Sequence, residues 1–263
     1  MKRNHHLLLL LFWLPACFPS AKLAAQKNLH AILLCDTQNP KPDFAASCRV
    51  DFRNFRREVD TMAAKTGRRL RLHTLTGADF TRTRLDETVA GLRADTGDVL
   101  LFYFSGAAFC DGAISDPKRS RMLRLRNEEN IQFADLADRL KAKHARLNVF
   151  LVDGCGLNAS LSDTVGGQMS VSLNIYQQLF SASGTVTAFA SSCSELAICD
   201  KNKGGFFTRC FLESLDYYSN MGFGNLNWET LLGRTKSCTA AKAKKLMRRQ
   251  TVLWFFDAGW RDK

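Results

Sequence analysis

The stretch Asn148-Val-Phe-Leu-Val-Asp-Gly-Cys-Gly-Leu-Asn158 decides the fold of this chain. Its apolar run from Val149 to Val152 is too short for a helix and is rich in β-branched and aromatic residues. That composition predicts a strand buried on both faces. The run stops at the segment Asp153-Gly-Cys-Gly156. In open parallel sheets, ligands bind and catalytic groups project at the carboxyl ends of the strands, so Cys155 is the first candidate for a functional residue.

Apolar strands alternate with amphipathic helices along the chain. The patterns predict strands over 29–35, 69–75, 98–104, 149–152, 184–190 and 251–256, and helices over 50–65, 79–94, 131–143, 206–218 and 228–247. Segments 36–47 and 191–205 are predicted loops, and the charged insertion 111–130 is predicted to be a solvated loop. The alternation predicts a three-layer αβα sandwich with a mostly parallel central sheet, in one domain from residue 26 to 263.

The predicted strands that end at Phe104 and Val152 are consecutive, with one helix between them. Right-handed crossover rules therefore predict that they are neighbours in the sheet. The segments after them, Ser105-Gly-Ala107 and Asp153-Gly-Cys155, would then face each other across one crevice. This crevice is the predicted functional site.

The composition is that of an ordinary globular protein with a positive surplus. The chain has 263 residues, is 46% hydrophobic and carries a formal net charge of +12. A surplus of that sign attracts nucleic acid, anionic lipid or acidic proteins. Because no basic block is interleaved with aromatic residues, nucleic acid is not a predicted partner. A peptide or protein is the expected partner.

Residues 1–25 resemble an export signal, which predicts a periplasmic or secreted protein. Lys2 and Arg3 precede an apolar core from Leu7 to Leu14, and Leu23-Ala-Ala25 is a plausible cleavage site. An alternative is that Leu14-Pro-Ala-Cys17 is a bacterial lipobox. In that case Cys17 would be lipidated, which is the one route to a membrane predicted for this chain.

The chain contains nine cysteines, and eight remain if Cys17 is removed: Cys35, Cys48, Cys110, Cys155, Cys193, Cys199, Cys210 and Cys238. Their spacings contain no C-x-x-C pair, so neither a zinc site nor another metal or cofactor is predicted. In an exported protein some should form disulfides, and Cys193 with Cys199 is a candidate pair. Cys35 and Cys210 best fit the alternative of small buried hydrophobic residues.

The ordered motifs resemble those of the caspase-like cysteine peptidases, a family that includes caspases, metacaspases and their bacterial relatives. In that family one strand typically ends in Y-S-G-H-G and the next core strand in D-A-C or D-S-C. The segments Phe104-Ser-Gly-Ala-Ala108 and Val152-Asp-Gly-Cys-Gly156 match these motifs. Position 107 precedes Cys155 by 48 residues (155 − 107), against about 50 between histidine and cysteine in caspases.

Two later segments extend the resemblance from about Leu29 to the end of the chain. Gly184-Thr-Val-Thr-Ala-Phe-Ala-Ser-Ser192 resembles the strand and loop after the nucleophile, and Gly205-Phe-Phe-Thr-Arg209 resembles the G-x-F-T start of a helix. The resemblance implies a caspase-like fold with Cys155 at the nucleophile position. Backbone N–H groups at Cys155 and near Ala108 would then form an oxyanion site, with Gly106, Gly154 and Asp153 beside it as the other candidate substrate-binding residues.

The main departure from the family is that its histidine is replaced by Ala107 and the following glycine by Ala108. The thiolate, not the thiol, is the nucleophile, and the histidine activates the attacking group or protonates the leaving amine. Alanine can do neither, and loss of one member of such a pair typically costs orders of magnitude in rate. Turnover should therefore be lost or weak, whereas peptide binding could survive.

Three histidines outside the export segment could replace the missing base. His30 begins the first predicted strand and His144 precedes the Cys155 strand, so both should lie at the wrong end of the sheet. His73 lies near the carboxyl end of its strand, but that strand should be at least two places from Cys155. His73 is therefore a remote alternative.

Asp153 has two interpretations. The resemblance to metacaspases implies that this carboxylate helps to form a pocket for an Arg or Lys side chain of a bound peptide. The alternative is that Asp153 accepts hydrogen bonds from loop amides and shapes the turn.

Three functions stay open from the sequence. The first is an exported caspase-like domain with impaired catalysis that binds a peptide or protein as a pseudo-peptidase. The second is a working endopeptidase that cleaves after a basic residue with an unrecognised base. The third is a redox or structural role for the thiols, which a disulfide from Cys155 to Cys110 or Cys193 would support.

Overall fold

The computed structural model describes residues 26–159, 175–221 and 225–262. The predicted export signal, its cleavage site and the Cys17 lipobox lie outside these residues. The strands are β1 (Asn28–Cys35), β2 (Arg69–Thr76), β3 (Val99–Gly106), β4 (Ala108–Cys110), β5 (Arg121–Arg124), β6 (Asn130–Gln132), β7 (Leu147–Asn158), β8 (Gly184–Phe189), β9 (Ala197–Asp200), β10 (Gly204–Gly205) and β11 (Leu253–Phe256). The helices are α1 (Pro42–Thr66), α2 (Arg82–Gly91), α3 (Phe133–Lys141), α4 (Ile175–Leu179), α5 (Phe206–Met221) and α6 (Trp228–Lys244).

The central sheet is mostly parallel, as predicted. The parallel strands β2, β1, β3, β7 and β8 are successive neighbours, and β11 pairs antiparallel with β8 at one edge. The carboxyl end of β7 extends past β8 and pairs with β9, which in turn pairs with β10. Strands β4, β5 and β6 form a separate antiparallel sheet.

Helices cover both faces of the central sheet, which gives the predicted three layers. Along β1, Ala31 and Leu33 point into a core cluster that contains residues of α1, α5 and α6. Ile32 and Leu34 point into a second cluster with residues of α2 and α3. Because successive side chains of a strand point to opposite faces, a continuous apolar run such as β1 is needed to fill both clusters.

Three predicted loops contain regular structure. Helix α1 begins at Pro42, so the prediction of a loop up to residue 47 is wrong; proline is well tolerated in the first turn of a helix. The insertion 111–130 is not simply a solvated loop, since β5 and part of β6 lie in it and Leu123 and Leu125 are buried. The segment 191–205 contains β9 and β10.

The structure contains three disulfides among the described residues: Cys110–Cys193, Cys155–Cys199 and Cys210–Cys238. The predicted Cys193–Cys199 pair is therefore wrong, because β9 places Cys199 beside β7 and leaves Cys193 beside β4. Cys35 is a buried free thiol, as predicted, and Cys48 is another. Cys210 is also buried, but the prediction that it is a free hydrophobic residue is wrong because it is bonded to Cys238. No helix in the described part of the chain is both long and apolar enough to span a bilayer.

Candidate active site

The two motif-bearing strand ends are adjacent, as predicted. In the pairing of β3 with β7, Ser105 lies opposite Asp153 and Gly106 lies opposite Gly154. Among the described residues, no crevice separates the two segments as far as Gly106 and Gly154, because both strands continue further than predicted and pair there. Gly106 and Gly154 are therefore part of the ladder rather than of an open loop.

Cys155 lies in the extension of β7, where it pairs with Ala197 of β9. A bulge follows it, since the register shifts between Cys155 and Leu157. The residue is 3% exposed and forms a disulfide with Cys199, with 6.0 Å between the two Cα atoms. A sulfur held in a disulfide carries no thiolate and cannot attack a peptide bond. Cys155 is bridged, which is the kind of observation that would support the third hypothesis, but the predicted partners Cys110 and Cys193 are wrong because the bond goes to Cys199.

Ala107 directly follows β3. It is half-buried and packs against a small cluster formed by Phe44, Cys48 and the Cys155–Cys199 bridge. Its methyl group therefore lies close to Cys155 but can neither accept nor donate a proton. The Cys48 thiol in the same cluster has its pKa raised well above the usual value, chiefly by burial. It therefore stays protonated and is a poor candidate for attack on the bridge.

Gly154 and Ala108 lie in close contact. A Cβ atom added at Gly154 would lie 2.5 Å from the Cβ atom of Ala108. Two methyl groups cannot share that space without a backbone shift. The absence of a side chain at 154 thus makes room for the methyl group of Ala108.

The substitution Gly154→Ala is expected to lower the free energy of unfolding by about 1–3 kcal/mol, because it overpacks the β4–β7 contact. Adding Ala108→Gly should restore most of that loss. Urea denaturation of the wild type, both single variants and the double variant gives the coupling energy. Additive single effects would show that the two methyl groups do not compete for one space.

Asp153 is fully buried. Its Oδ2 accepts hydrogen bonds from the backbone N–H and the hydroxyl of Thr208, at 3.0 and 2.6 Å. The Thr208 hydroxyl also lies 2.7 Å from that of Tyr103. Burial raises the pKa of Asp153 to about 6, although the Thr208 hydrogen bonds oppose the shift. A carboxylate enclosed in this way has no surface for an Arg or Lys side chain, which favours the structural interpretation of Asp153.

Asp51 on α1 is a second buried carboxylate, which the sequence reasoning missed. It accepts hydrogen bonds from the Ser105 hydroxyl at 2.8 Å and from the Gly205 backbone N–H at 2.9 Å. Burial, and then the charge of Asp153, raise its pKa well above the usual value. Asp51 ties α1 to β3 and β10 beneath the site. A signal existed, because Asp51 lies at helical spacing between the apolar residues Cys48 and Phe55 on the buried face of α1.

Comparison with known proteins identifies the family. The model of the family described as "Caspase domain" (Peptidase_C14) matches residues 43–248, which is more than half of the chain. The chain belongs to the caspase-domain family. No curated protein matches it.

Among solved structures, caspase-1 from Spodoptera frugiperda is similar to this caspase domain at a TM-score of 0.54 and 14% identity, over 88% of this chain and 86% of that one. Protein GSU0716 from Geobacter sulfurreducens is similar at a TM-score of 0.48 and 14% identity, over 88% of this chain and 93% of that one. At 14% identity, the similarity to caspase-1 supports the fold and nothing further.

The three histidines in the described part of the caspase domain lie far from Cys155. His30 is level with Asn148 across β1, β3 and β7, so seven residues, or about 23 Å of strand, separate it from Cys155. It lies 3.1 Å from Asp98 at the amino end of the sheet. His73 is level with Phe150 but three strands away, about 20 Å in all.

His144 is exposed and precedes β7 at the same amino end. Within the described ranges, no histidine therefore lies close enough to Cys155 to act as its base.

One group of potential metal ligands occurs within the described ranges, formed by Cys210, Glu213 and Cys238. Its two sulfur atoms are bonded to each other. Glu213 accepts hydrogen bonds or ion pairs from Arg209 and Lys242, at 2.8 and 3.2 Å. The group is thus a disulfide with a neighbouring ion-pair network.

Proposed function

We propose that this caspase domain lacks peptidase turnover and acts as a pseudo-peptidase that binds a peptide or protein. The observation that carries the proposal is the bond between Cys155 and Cys199 beside Ala107. The nucleophile is missing because Cys155 is bonded to Cys199, and the base is missing because residue 107 is an alanine. A single change could not restore the chemistry.

The surface around the bridge supports a binding role. Leu196, the residue before β9, is 61% exposed, and Phe109 on β4 is 36% exposed. A Cβ atom at the exposed Gly156 would lie 3.0 Å from Leu196 Cδ2. The surface beside Cys155 therefore presents the apolar side chain of Leu196 next to the exposed Gly156, and an apolar side chain beside accessible backbone suits an extended peptide.

The bridge also supports a second candidate, a purely structural role for Cys155. In that case the Cys155–Cys199 bond fixes β9 to β7, and the domain needs no ligand at this edge. Binding of peptides at the Leu196 surface distinguishes the two candidates.

The test is hydrolysis of fluorogenic peptides that end in Arg, Lys or Asp, with and without reductant. We expect no turnover by the wild type in either condition. The variant Ala107→His/Ala108→Gly/Cys199→Ala supplies the base, makes room for it and frees Cys155, so it should gain measurable activity. The same variant with Cys155→Ala added is the matched control and should not hydrolyse the peptides. Wild-type turnover that disappears with Cys155→Ala would contradict the proposal and support the working endopeptidase.

Binding is measured with uncleaved fluorescent peptides of the same panel by fluorescence anisotropy. The wild type should bind at least one peptide, and Leu196→Asp should weaken that binding about tenfold or more, because it removes apolar contact area at the edge. Wild-type protein that binds none of them would leave the structural role of Cys155 as the surviving candidate.

A further inference from the structure

The carboxyl end of α6 carries a concentrated positive charge. Residues 244–249 read Lys-Lys-Leu-Met-Arg-Arg, and the chain contains no Asp or Glu from Thr230 to Phe256. We call residues 244–249 the basic loop. All four of its cationic side chains are exposed. Because like charges in one short segment repel each other, this clustering favours an anionic partner over a free state.

Two carboxylates elsewhere in the fold make contacts of their own. Glu195 accepts hydrogen bonds from the backbone N–H and the hydroxyl of Thr251, at 2.6 and 3.1 Å. Glu213 bonds to Arg209 and Lys242 on the helices. Because residues 230–256 contain no Asp or Glu, the basic loop gives this part of the chain a local excess of positive charge.

Met247, at the tip of the basic loop, is in an unusual place for a methionine. Its φ angle is +53°, and its side chain is 96% exposed. The Arg248 N–H bonds to the Ala243 carbonyl and the Met247 N–H to the Lys244 carbonyl. This is the hydrogen-bond pattern of a Schellman motif, whose left-handed position is usually glycine. Folding gains nothing from a large apolar side chain here.

Apolar packing and side-chain hydrogen bonds anchor the basic loop to the rest of the domain. Leu246 packs against a cluster that contains Ile198, Phe206 and Ala243. The Gln250 side chain accepts a hydrogen bond from the Ile198 N–H and donates one to the Ala190 carbonyl, both at 3.0 Å. These contacts fix a convex tip with Met247 pointing outward.

We propose that the basic loop docks the caspase domain onto an anionic lipid bilayer. The Lys and Arg side chains contact lipid headgroups, and the Met247 side chain enters the interface below them. A bilayer suits this shape better than an acidic protein does, because it offers a negative surface with an apolar layer directly beneath. A protein partner would need a pocket matched to one protruding methionine. This docking is independent of peptidase chemistry and of any lipid on Cys17.

The test is co-sedimentation with vesicles of phosphatidylcholine alone or mixed with phosphatidylglycerol, over a salt series. The protein is the chain from Gln26 onward, which holds every described element. We expect binding only to the mixed vesicles, weakening as salt rises. The loop variant is Lys244→Ser, Lys245→Ser, Arg248→Ser and Arg249→Ser. Each cation removed should weaken binding to the mixed vesicles about fivefold, so this quadruple variant should bind them at least about a hundredfold more weakly than the wild type.

A matched control removes the same charge elsewhere. It is Arg53→Ser, Arg57→Ser, Arg69→Ser and Arg71→Ser, all exposed positions on α1 and β2. This control should bind within a few-fold of the wild type. An equal loss in both quadruple variants would overturn the proposal in favour of general charge attraction.

Met247→Gly separates docking from folding. Glycine fits the left-handed position, so this variant should melt at the same temperature as the wild type or higher. It should nevertheless bind mixed vesicles several-fold more weakly, whereas Met247→Trp should bind more tightly. If binding does not respond to residue 247, the basic loop is a site for polyanions or acidic proteins and the lipid proposal fails.

Discussion

Removing the Cys155–Cys199 bridge with the paired substitution Cys155→Ala/Cys199→Ala is expected to lower the free energy of unfolding by about 4 kcal/mol. The bridge joins residues 44 apart in sequence, and closing a loop of that length removes about this much conformational freedom from the unfolded chain. Both cysteines are replaced so that neither leaves a free thiol. In a chain of this size the melting temperature should fall by about 8–16 °C, as measured by calorimetry.

Cys48→Ala is the control for this first prediction. It removes a buried thiol from the same cluster without breaking a disulfide, and should cost only about 1 kcal/mol of packing. Peptide mapping without reductant should recover Cys155 joined to Cys199 in the wild type. If the paired variant is as stable as the wild type, the bridge contributes nothing to stability and its structural role is excluded.

The second large effect concerns the buried carboxyl groups of Asp51 and Asp153. A carboxyl group whose pKa is raised by folding stabilises the fold fully below its unfolded pKa, and that contribution is lost as the pH rises through the folded value. For Asp153 the contribution is lost between pH 3.8 and about pH 6. That shift in pKa corresponds to a loss of about 3 kcal/mol in the free energy of unfolding. The pKa of Asp51 is also raised well above its usual value, by burial and then by the charge of Asp153, so its contribution is lost in the same direction as the pH rises.

The measurable quantity is the change in unfolding free energy between pH 5 and pH 8. Asp51→Asn/Asp153→Asn should remove a destabilisation of about 2 kcal/mol or more over that interval, since an amide does not ionise. Absolute stability at pH 5 should fall, because each amide replaces a protonated carboxyl group in a fitted network. Denaturant unfolding at several pH values provides the comparison.

Asp60→Asn on α1 is the matched control for the pH prediction. Its carboxylate is half exposed and paired with Arg56, and exposed pairs of this kind contribute little to stability. The pH dependence of this variant should match that of the wild type. If the double variant has the same pH dependence as the wild type, the buried pair does not change its ionisation over this interval.

Much of the fold could be predicted because its central strands are continuous apolar runs. The run from Val149 to Val152 has no polar face, so burial on both sides was the one arrangement consistent with it. The crossover rule then placed the strands that end at Phe104 and Val152 side by side, and the pairing of β3 with β7 confirms this. Local pattern and chain connectivity sufficed for these features.

The features that could not be predicted depend on contacts between distant segments. Cys199 lies beside Cys155 because β7 extends past its apolar run and pairs with β9, whose residues carry no strong strand pattern. Asp51 appeared to be one of many charges on α1, and only the packing of β3 and β10 around it shows that it is buried. The start of α1 was placed too late, since Pro42 can signal either a loop or a first turn.

The contact between Gly154 and Ala108 has a consequence for any attempt to give this caspase domain peptidase activity. A histidine placed at position 107 would still face a sulfur atom held in the Cys155–Cys199 disulfide, and a side chain placed at 154 would collide with Ala108. Each of these changes alone is unproductive or harmful. Under the proposed pseudo-peptidase function, no single substitution is therefore expected to produce peptidase activity.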